Sequence, residues 1–232
     1  MKIIYWSDYA CPYCYIGETR LKKAIEQMPE LGDVQIEMKA FQLDPTAGQH
    51  AAGDTQTRFA HKYGLSLGHA GRSIEHISGL GRAEGLDFRY ATTLFTNTMD
   101  AHRLTKLAQS KGTEVADKVS EALYKAYFTD NKELADHELL QHIGEECGLD
   151  AKEIKALLTS DQYREEVLLD EREAARYGIN AVPYFVIGRY AIPGAQDTEG
   201  MKTVLRKALE EESAADMTEP GMSCGTDGCR IR

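Results

Sequence analysis

The sequence has 232 residues, 42% of them hydrophobic, and a formal net charge of −10 at pH 7. A chain of this size and apolar content builds a packed core, has no run of about 18 apolar residues to span a membrane, and lacks the clustered Lys and Arg that a phosphate backbone requires. Disorder, membrane insertion and nucleic-acid binding are set aside, and the acidic excess reads as a solubility device.

Lys2–Trp6 (KIIYW) is β-branched and aromatic, which predicts a short strand. The stretch has no apolar core and cleavage site of the secretory kind, so a cytoplasmic protein is expected. Ser7–Ala10 forms a loop, and from Pro12 to Met28 the apolar residues Ile16, Leu21, Ala24, Ile25 and Met28 recur at helical spacing, with proline in the first turn. Val34–Phe41 alternates apolar and polar, as a half-buried strand does. The chain thus opens β-α-β, with Cys11-Pro12-Tyr13-Cys14 at the strand-to-helix junction.

From Asp44 to Tyr177 helical periodicity replaces the strand pattern. Helices are predicted over Gln56–Tyr63, Ala70–Glu84, Met99–Lys111, Glu114–Thr129, Glu138–Cys147, Lys152–Leu158 and Gln162–Tyr177. Glycines follow several of them, and Asp150 with Glu153 and Thr159 with Gln162 read as N-terminal capping boxes. Strand character returns at Tyr184–Ile187 and Tyr190–Ile192, and a last helix is predicted over Thr198–Glu212. Ser213–Arg232 is small and polar and predicts a flexible tail. The expected fold is α/β: a thioredoxin-like unit formed by residues 1–43 and 178–212, its β-α-β and β-β-α halves separated by an all-helical insertion at 44–177.

There are five cysteines: two close pairs, Cys11 with Cys14 and Cys224 with Cys229, and Cys147 alone. An odd number does not suggest a structural disulfide framework. At a helix N-terminus the dipole and unpaired amides stabilise a thiolate on the first cysteine. Cys11 is then the exposed nucleophile and Cys14, one turn further in, resolves the mixed disulfide. Cys147 reads as a buried structural thiol. The terminal pair reads as an accessory redox pair, as a zinc half-site that Cys11 and Cys14 would complete, or as an inert end. Asp8 and Tyr9, next to the motif, are expected to shape its groove, and His102 either tunes the Cys11 thiolate, contacts substrate or is a solvent-facing or simply hydrogen-bonded histidine. The remaining histidines lack ligand spacing, and neither a metal nor a cofactor is expected.

Four stretches, DYACPYCYIG (Asp8–Gly17), NTMDAHRL (Asn97–Leu104), GINAVPYFVI (Gly178–Ile187) and IPGAQ (Ile192–Gln196), resemble the DsbA superfamily and, within it, the FrnE-like cytosolic branch. That resemblance implies a thiol-disulfide oxidoreductase or isomerase with Cys11 as nucleophile, Cys14 as resolving thiol and a cis proline at Pro183. The backbone of Val182 would pair with an extended substrate, with Pro12, Tyr13 and His102 as further substrate contacts. The partners implied are protein or small-molecule disulfides and dithiols. Some FrnE-like proteins carry an extra C-terminal cysteine pair, which favours the redox reading of Cys224 and Cys229. Pro-Tyr replaces the Pro-His of periplasmic DsbA, and Tyr13 brings no positive charge, so a potential less oxidising than about −120 mV is expected. Two alternatives remain: a glutathione-dependent transferase or isomerase of the kappa or hydroxychromene-carboxylate type, which has serine where Cys11 stands, and a zinc-binding, redox-sensing module.

Overall fold

The sheet is built around β1 (Lys2–Ser7), which is covered on both faces. In the computed structural model, which describes residues 1–218, 223–225 and 228–230 and side chains as far as residue 214, β1 runs parallel to β2 (Gln35–Ala40) with Lys2 opposite Gln35 and Ser7 opposite Ala40. The crossover between them is α1 (Pro12–Glu26). On its other side β1 is antiparallel to β3 (Tyr184–Ile187), with Ile3 opposite Ile187 and Trp6 opposite Tyr184. A turn at Gly188, whose φ of 56° favours glycine, leads into β4 (Tyr190–Pro193). The order β2-β1-β3-β4 therefore joins strands from opposite ends of the chain.

Alternation along β1 serves two cores. Ile3 and Tyr5 face the layer that contains α1 and α9 (Thr198–Thr218), where Tyr5 stacks on Phe185 at 5.4 Å between centroids. Ile4 and Trp6 face a smaller cluster with Ala174 and Ile179, and the Trp6 indole donates to the Asp170 carbonyl at 3.0 Å. A strand buried on both sides reads as the near-continuous apolar run KIIYW rather than as a strict alternation.

Between the two halves of the sheet lie α2 (Thr55–Tyr63), α3 (Leu67–Ala83), α4 (Met99–Lys111), α5 (Thr113–Phe128), α6 (His137–Glu146), α7 (Ala151–Leu158) and α8 (Arg164–Arg176). This is the expected α/β arrangement with an all-helical insertion. The insertion is keyed to α1 through Tyr15, which stacks on Tyr124 at 4.7 Å, Phe128 at 6.0 Å and Phe88 at 6.1 Å. In the middle of α8, Asp170 is reached by Lys106 at 2.5 Å, and the same carboxylate accepts from the Ala40 amide of β2 at 2.8 Å.

Local expectations needed correction in three places. α3 begins three residues earlier than predicted, because Ser66 caps it by accepting from the His69 amide at 3.3 Å. Thr159 does not cap the next helix: its hydroxyl bonds back to the Lys155 carbonyl, and α8 starts only after Tyr163, which has a φ of 63°. The expected tail starts inside α9, where alanines and a methionine after Ser213 prolong the helix to Thr218. Farther on, β5 (Ser223–Gly225) pairs antiparallel with β6 (Gly228–Arg230), placing Cys224 opposite Cys229 in backbone register. The side chains of Cys224 and Cys229 and the rest of the tail lie outside the described residues. No helix among the described residues is long and apolar enough to cross a membrane.

Gly81 lets α3 pack directly on the aromatic cluster. A Cβ there would sit 2.5 Å from Cγ of Phe88, a buried ring already held by Phe128. Helix propensity favours Gly81→Ala by about 1 kcal/mol, but overpacking a ring that cannot yield costs about 1–3 kcal/mol. Gly81→Ala is therefore expected to lower the urea midpoint; an unchanged or raised midpoint contradicts this packing.

Candidate active site

Cys11 occupies the N-cap of α1, with φ −91° and ψ 114°, and no side chain caps the helix. No acidic residue lies in the first turn, so the positive end of the helix is left for the Cys11 sulfur. The loop before it is a closed turn: the Cys11 amide donates to the Asp8 carbonyl at 3.0 Å, and the Cys14 amide to the Cys11 carbonyl at 3.1 Å. As a thiol, Cys11 donates to the carbonyl of Val182 at 3.5 Å. Val182-Pro183 is the cis peptide bond among the described residues, as the family resemblance implied. Gly17 makes the approach possible: a Cβ on it would lie 3.1 Å from Cγ of Pro183 and 3.3 Å from the Phe185 ring.

The expected exposure of Cys11 needs correction: only 4% of it is exposed, because the cleft walls and Val182 crowd it. It is reached through the cleft it lines, while Cys14 behind it is fully buried. Burial pushes its thiol well above the usual range, and the neighbouring Cys11 pushes it further; the Ser7 hydroxyl and the Asp8 amide act the other way by hydrogen bonding to its sulfur. Ser7 in turn shares a 2.5 Å hydrogen bond with the Tyr124 hydroxyl, carried on α5. Asp8 braces the loop, its carboxylate accepting from the Ala10 amide at 3.3 Å and from the Leu43 amide at 2.7 Å. The Tyr9 hydroxyl pairs with Thr105 at 2.5 Å. Asp8 and Tyr9 therefore support the motif from beneath rather than shape its groove.

Over Cys11 opens a cleft of 660 Å³ whose far wall is α2 and α3 of the insertion. Cys11, Pro12 and Tyr13 line one side and Asn180, Ala181 and Val182 another, with Phe59, Tyr90 and Phe95 opposite. The predicted pair, Pro12, Tyr13 and the Val182-Pro183 bond thus converge on one place. A second cavity, of 300 Å³, lies along β2 beside Tyr5, Gln109 and Asp117 and has no thiol in its wall.

His102 does not belong to the cleft. Only 1% of it is exposed, its ring lies 5.1 Å from that of Tyr9, and its Nε2 has no hydrogen-bond partner, the nearest Asp8 oxygen being 3.5 Å away. The face of α4 that carries His102 packs onto the Asp8–Tyr9 loop, which corrects its expected roles as a substrate contact and as a solvent-facing histidine. Cys147 caps the C-terminus of α6 and is only partly buried; burial still raises its thiol. Sequence reasoning missed Ser7 and Tyr124, which meet across 117 positions, and the cleft residues Arg58, Tyr90 and Phe95. A helix with basic residues at Arg58 and Lys62 was the one local sign of the cleft's character.

Comparison with known proteins places these features in context. The family model of the DSBA-like thioredoxin domain matches residues 2–206. The crystal structure of a probable DsbA oxidoreductase from Streptomyces coelicolor superposes with a TM-score of 0.86 at 34% identity, covering 100% of this chain and 99% of that one. The uncharacterised Bacillus subtilis protein YwbO is 25% identical over 89% of this chain and 94% of its own length. The cytosolic disulfide reductase DsbM of Pseudomonas aeruginosa, solved with glutathione, shares the fold at a TM-score of 0.61 and 16% identity, covering 92% of this chain and 100% of its own.

Burial favours the protonated form of Cys14, so any attack by its sulfur requires loss of that proton first. Resolution of a mixed disulfide at Cys11 is expected to accelerate about tenfold per unit from about pH 6 to about pH 8, following the thiolate fraction. The Ser7 hydroxyl stabilises the thiolate, so Ser7→Ala moves the profile to higher pH. Stopped-flow release of an aromatic thiol from Cys11 measures this; a flat profile, or a shift to lower pH in Ser7→Ala, contradicts the arrangement.

Proposed function

Because the chain belongs to the DSBA-like thioredoxin-domain family, we propose that it is a thiol-disulfide oxidoreductase in which Cys11 exchanges with substrate and Cys14 resolves. The observation that carries the reading is the asymmetry of the pair: Cys11 lines the cleft at the end of α1, whereas Cys14 is enclosed behind it.

In the reducing direction the Cys11 thiolate attacks one sulfur of a substrate disulfide. A mixed disulfide forms, and the other substrate sulfur leaves as a thiolate that takes a proton from water. The Cys14 thiolate then attacks the Cys11 sulfur, closing the Cys11–Cys14 disulfide and releasing the second substrate thiol. Two electrons pass to substrate, and the reverse sequence oxidises a dithiol. The backbone of Val182, beside Cys11, pairs with an extended substrate segment, and Pro12 and Tyr13 form the adjoining surface.

Protein or small-molecule disulfides and dithiols are the proposed substrates, and the cytosol the proposed compartment; DsbM, described as a cytosolic disulfide reductase and solved with glutathione, supports both. Cys224 and Cys229 are proposed as an accessory redox pair, as some FrnE-like proteins carry. A serine in place of Cys11 is what the glutathione transferase and isomerase alternative needs, and this chain has a thiol at both positions.

Trapping tests the division of labour. Cys14→Ser is expected to accumulate a mixed disulfide at Cys11 with thiol-bearing substrates, seen by mass spectrometry, and Cys11→Ser to accumulate none. Equal trapping by the two variants overturns the assignment.

A further inference from the structure

The cleft over Cys11 is basic in a chain whose net charge is −10. Arg58, Lys62 and Arg72 line it, and no Asp or Glu does. They sit at helical spacing, Arg58 and Lys62 one turn apart on α2, with Arg72 and His76 one turn apart on α3, so each helix turns a basic edge to the same space. The two helices are clamped to each other where Gln56 donates to the Leu67 carbonyl at 2.8 Å.

Several buried or half-buried cations elsewhere, Arg20, Lys23, Lys39 and Lys106 among them, each hold a carboxylate. Among the described residues, Arg58, Lys62 and Arg72 form no such pair. Arg58 is the most telling, since it is half-buried and its guanidinium lies 3.8 Å from the centre of the Phe95 ring. A cation withdrawn from water and left without an anion is costly, and stacking on an aromatic face offsets only part of that cost. Arg58 and Cys11 line the same cleft, with Tyr63 and Tyr90 in its wall. Tyr90 stays protonated because burial raises it, and among the described residues its hydroxyl makes no hydrogen bond, so it is a donor available to a ligand.

We infer that this cleft selects low-molecular-weight disulfides whose halves carry free carboxylates, with Arg58 as the inner carboxylate ligand and Lys62 and Arg72 at the rim. The inference rests on the oxidoreductase reading and specifies its substrate. The volume of 660 Å³ is that of a small-molecule site. A small anion inside the cleft meets the local cations within a Debye length, whereas the surface of an acidic protein would meet the negative field of the whole chain. Carboxylates anchored at Arg58 hold the disulfide over Cys11; exchange then proceeds as above, one half leaving on the first attack and the other on closure of Cys11–Cys14.

The test uses the full-length, prereduced protein in single turnover, so that no other reductant enters. Three disulfides of similar size are compared: dithiodipropionate (anionic), hydroxyethyl disulfide (neutral) and cystamine (cationic). The second-order rate of Cys11–Cys14 oxidation is expected to be highest for dithiodipropionate and lowest for cystamine. Arg58→Gln is expected to lower the ratio of the dithiodipropionate rate to the hydroxyethyl disulfide rate about tenfold, the size of one charge-assisted hydrogen bond. Arg72→Gln, on the exposed rim and outside any packing contact, shifts the same ratio in the same direction by less. A ratio unmoved by both substitutions, or cystamine reacting as fast as dithiodipropionate, overturns the selectivity while leaving the oxidoreductase reading intact. If none of the three oxidises the protein through Cys11, the oxidoreductase reading falls and this inference with it.

Discussion

The site depends on one contact: the first turns of α1 lie against the loop that opens β3. Gly17 presents no side chain to Pro183, so the Val182 carbonyl reaches the Cys11 sulfur. These segments are separated by most of the chain and are held together by the antiparallel pairing of β1 with β3. A strand pairing that is non-local in sequence thereby becomes a sub-nanometre constraint on a thiol. Everything that faces substrate is arranged around that junction: the helix end behind Cys11, the carbonyl beside it and the cleft in front.

The insertion contributes to both sides of the pair. Behind it, α5 supplies Tyr124 to the Ser7 hydroxyl and to the ring of Tyr15, closing the space around Cys14 against water. In front, α2 and α3 form the opposite wall of the cleft. The same helical block therefore sets the dielectric around Cys14 and the charge that lines the cleft. In low-dielectric surroundings an anion on Cys14 is costly to form, and the hydrogen bonds from Ser7 and the Asp8 amide offset part of that cost.

The parts of this arrangement that were legible in sequence are those carried by local pattern. A strand, a C-x-x-C and a helix with proline in its first turn are contiguous, and Val182-Pro183 directly precedes a strand. Loss of alternation after Asp44 marked the insertion for the same reason. What stayed hidden is tertiary. Ser7 meets Tyr124 only because α5 crosses β1, and Arg58 becomes a half-buried cation only because Phe95 lies under it. His102 shows the limit well: its place on a helix was readable, but whether that face met solvent, substrate or Asp8 depended on how α4 docks. Thr159 failed as a cap because a hydroxyl near the end of one helix found the Lys155 carbonyl before it found the next helix.

The central claim is that reagents reach Cys11, which is 4% exposed and lines the cleft, and do not reach Cys14, which is fully enclosed. Limited alkylation of the reduced native protein, with the labelled cysteines mapped by mass spectrometry over time, tests it directly. The account predicts that Cys11 is modified first and that Cys14 is modified only after unfolding. Labelling of Cys14 ahead of Cys11, or at the same rate in the native protein, would contradict it.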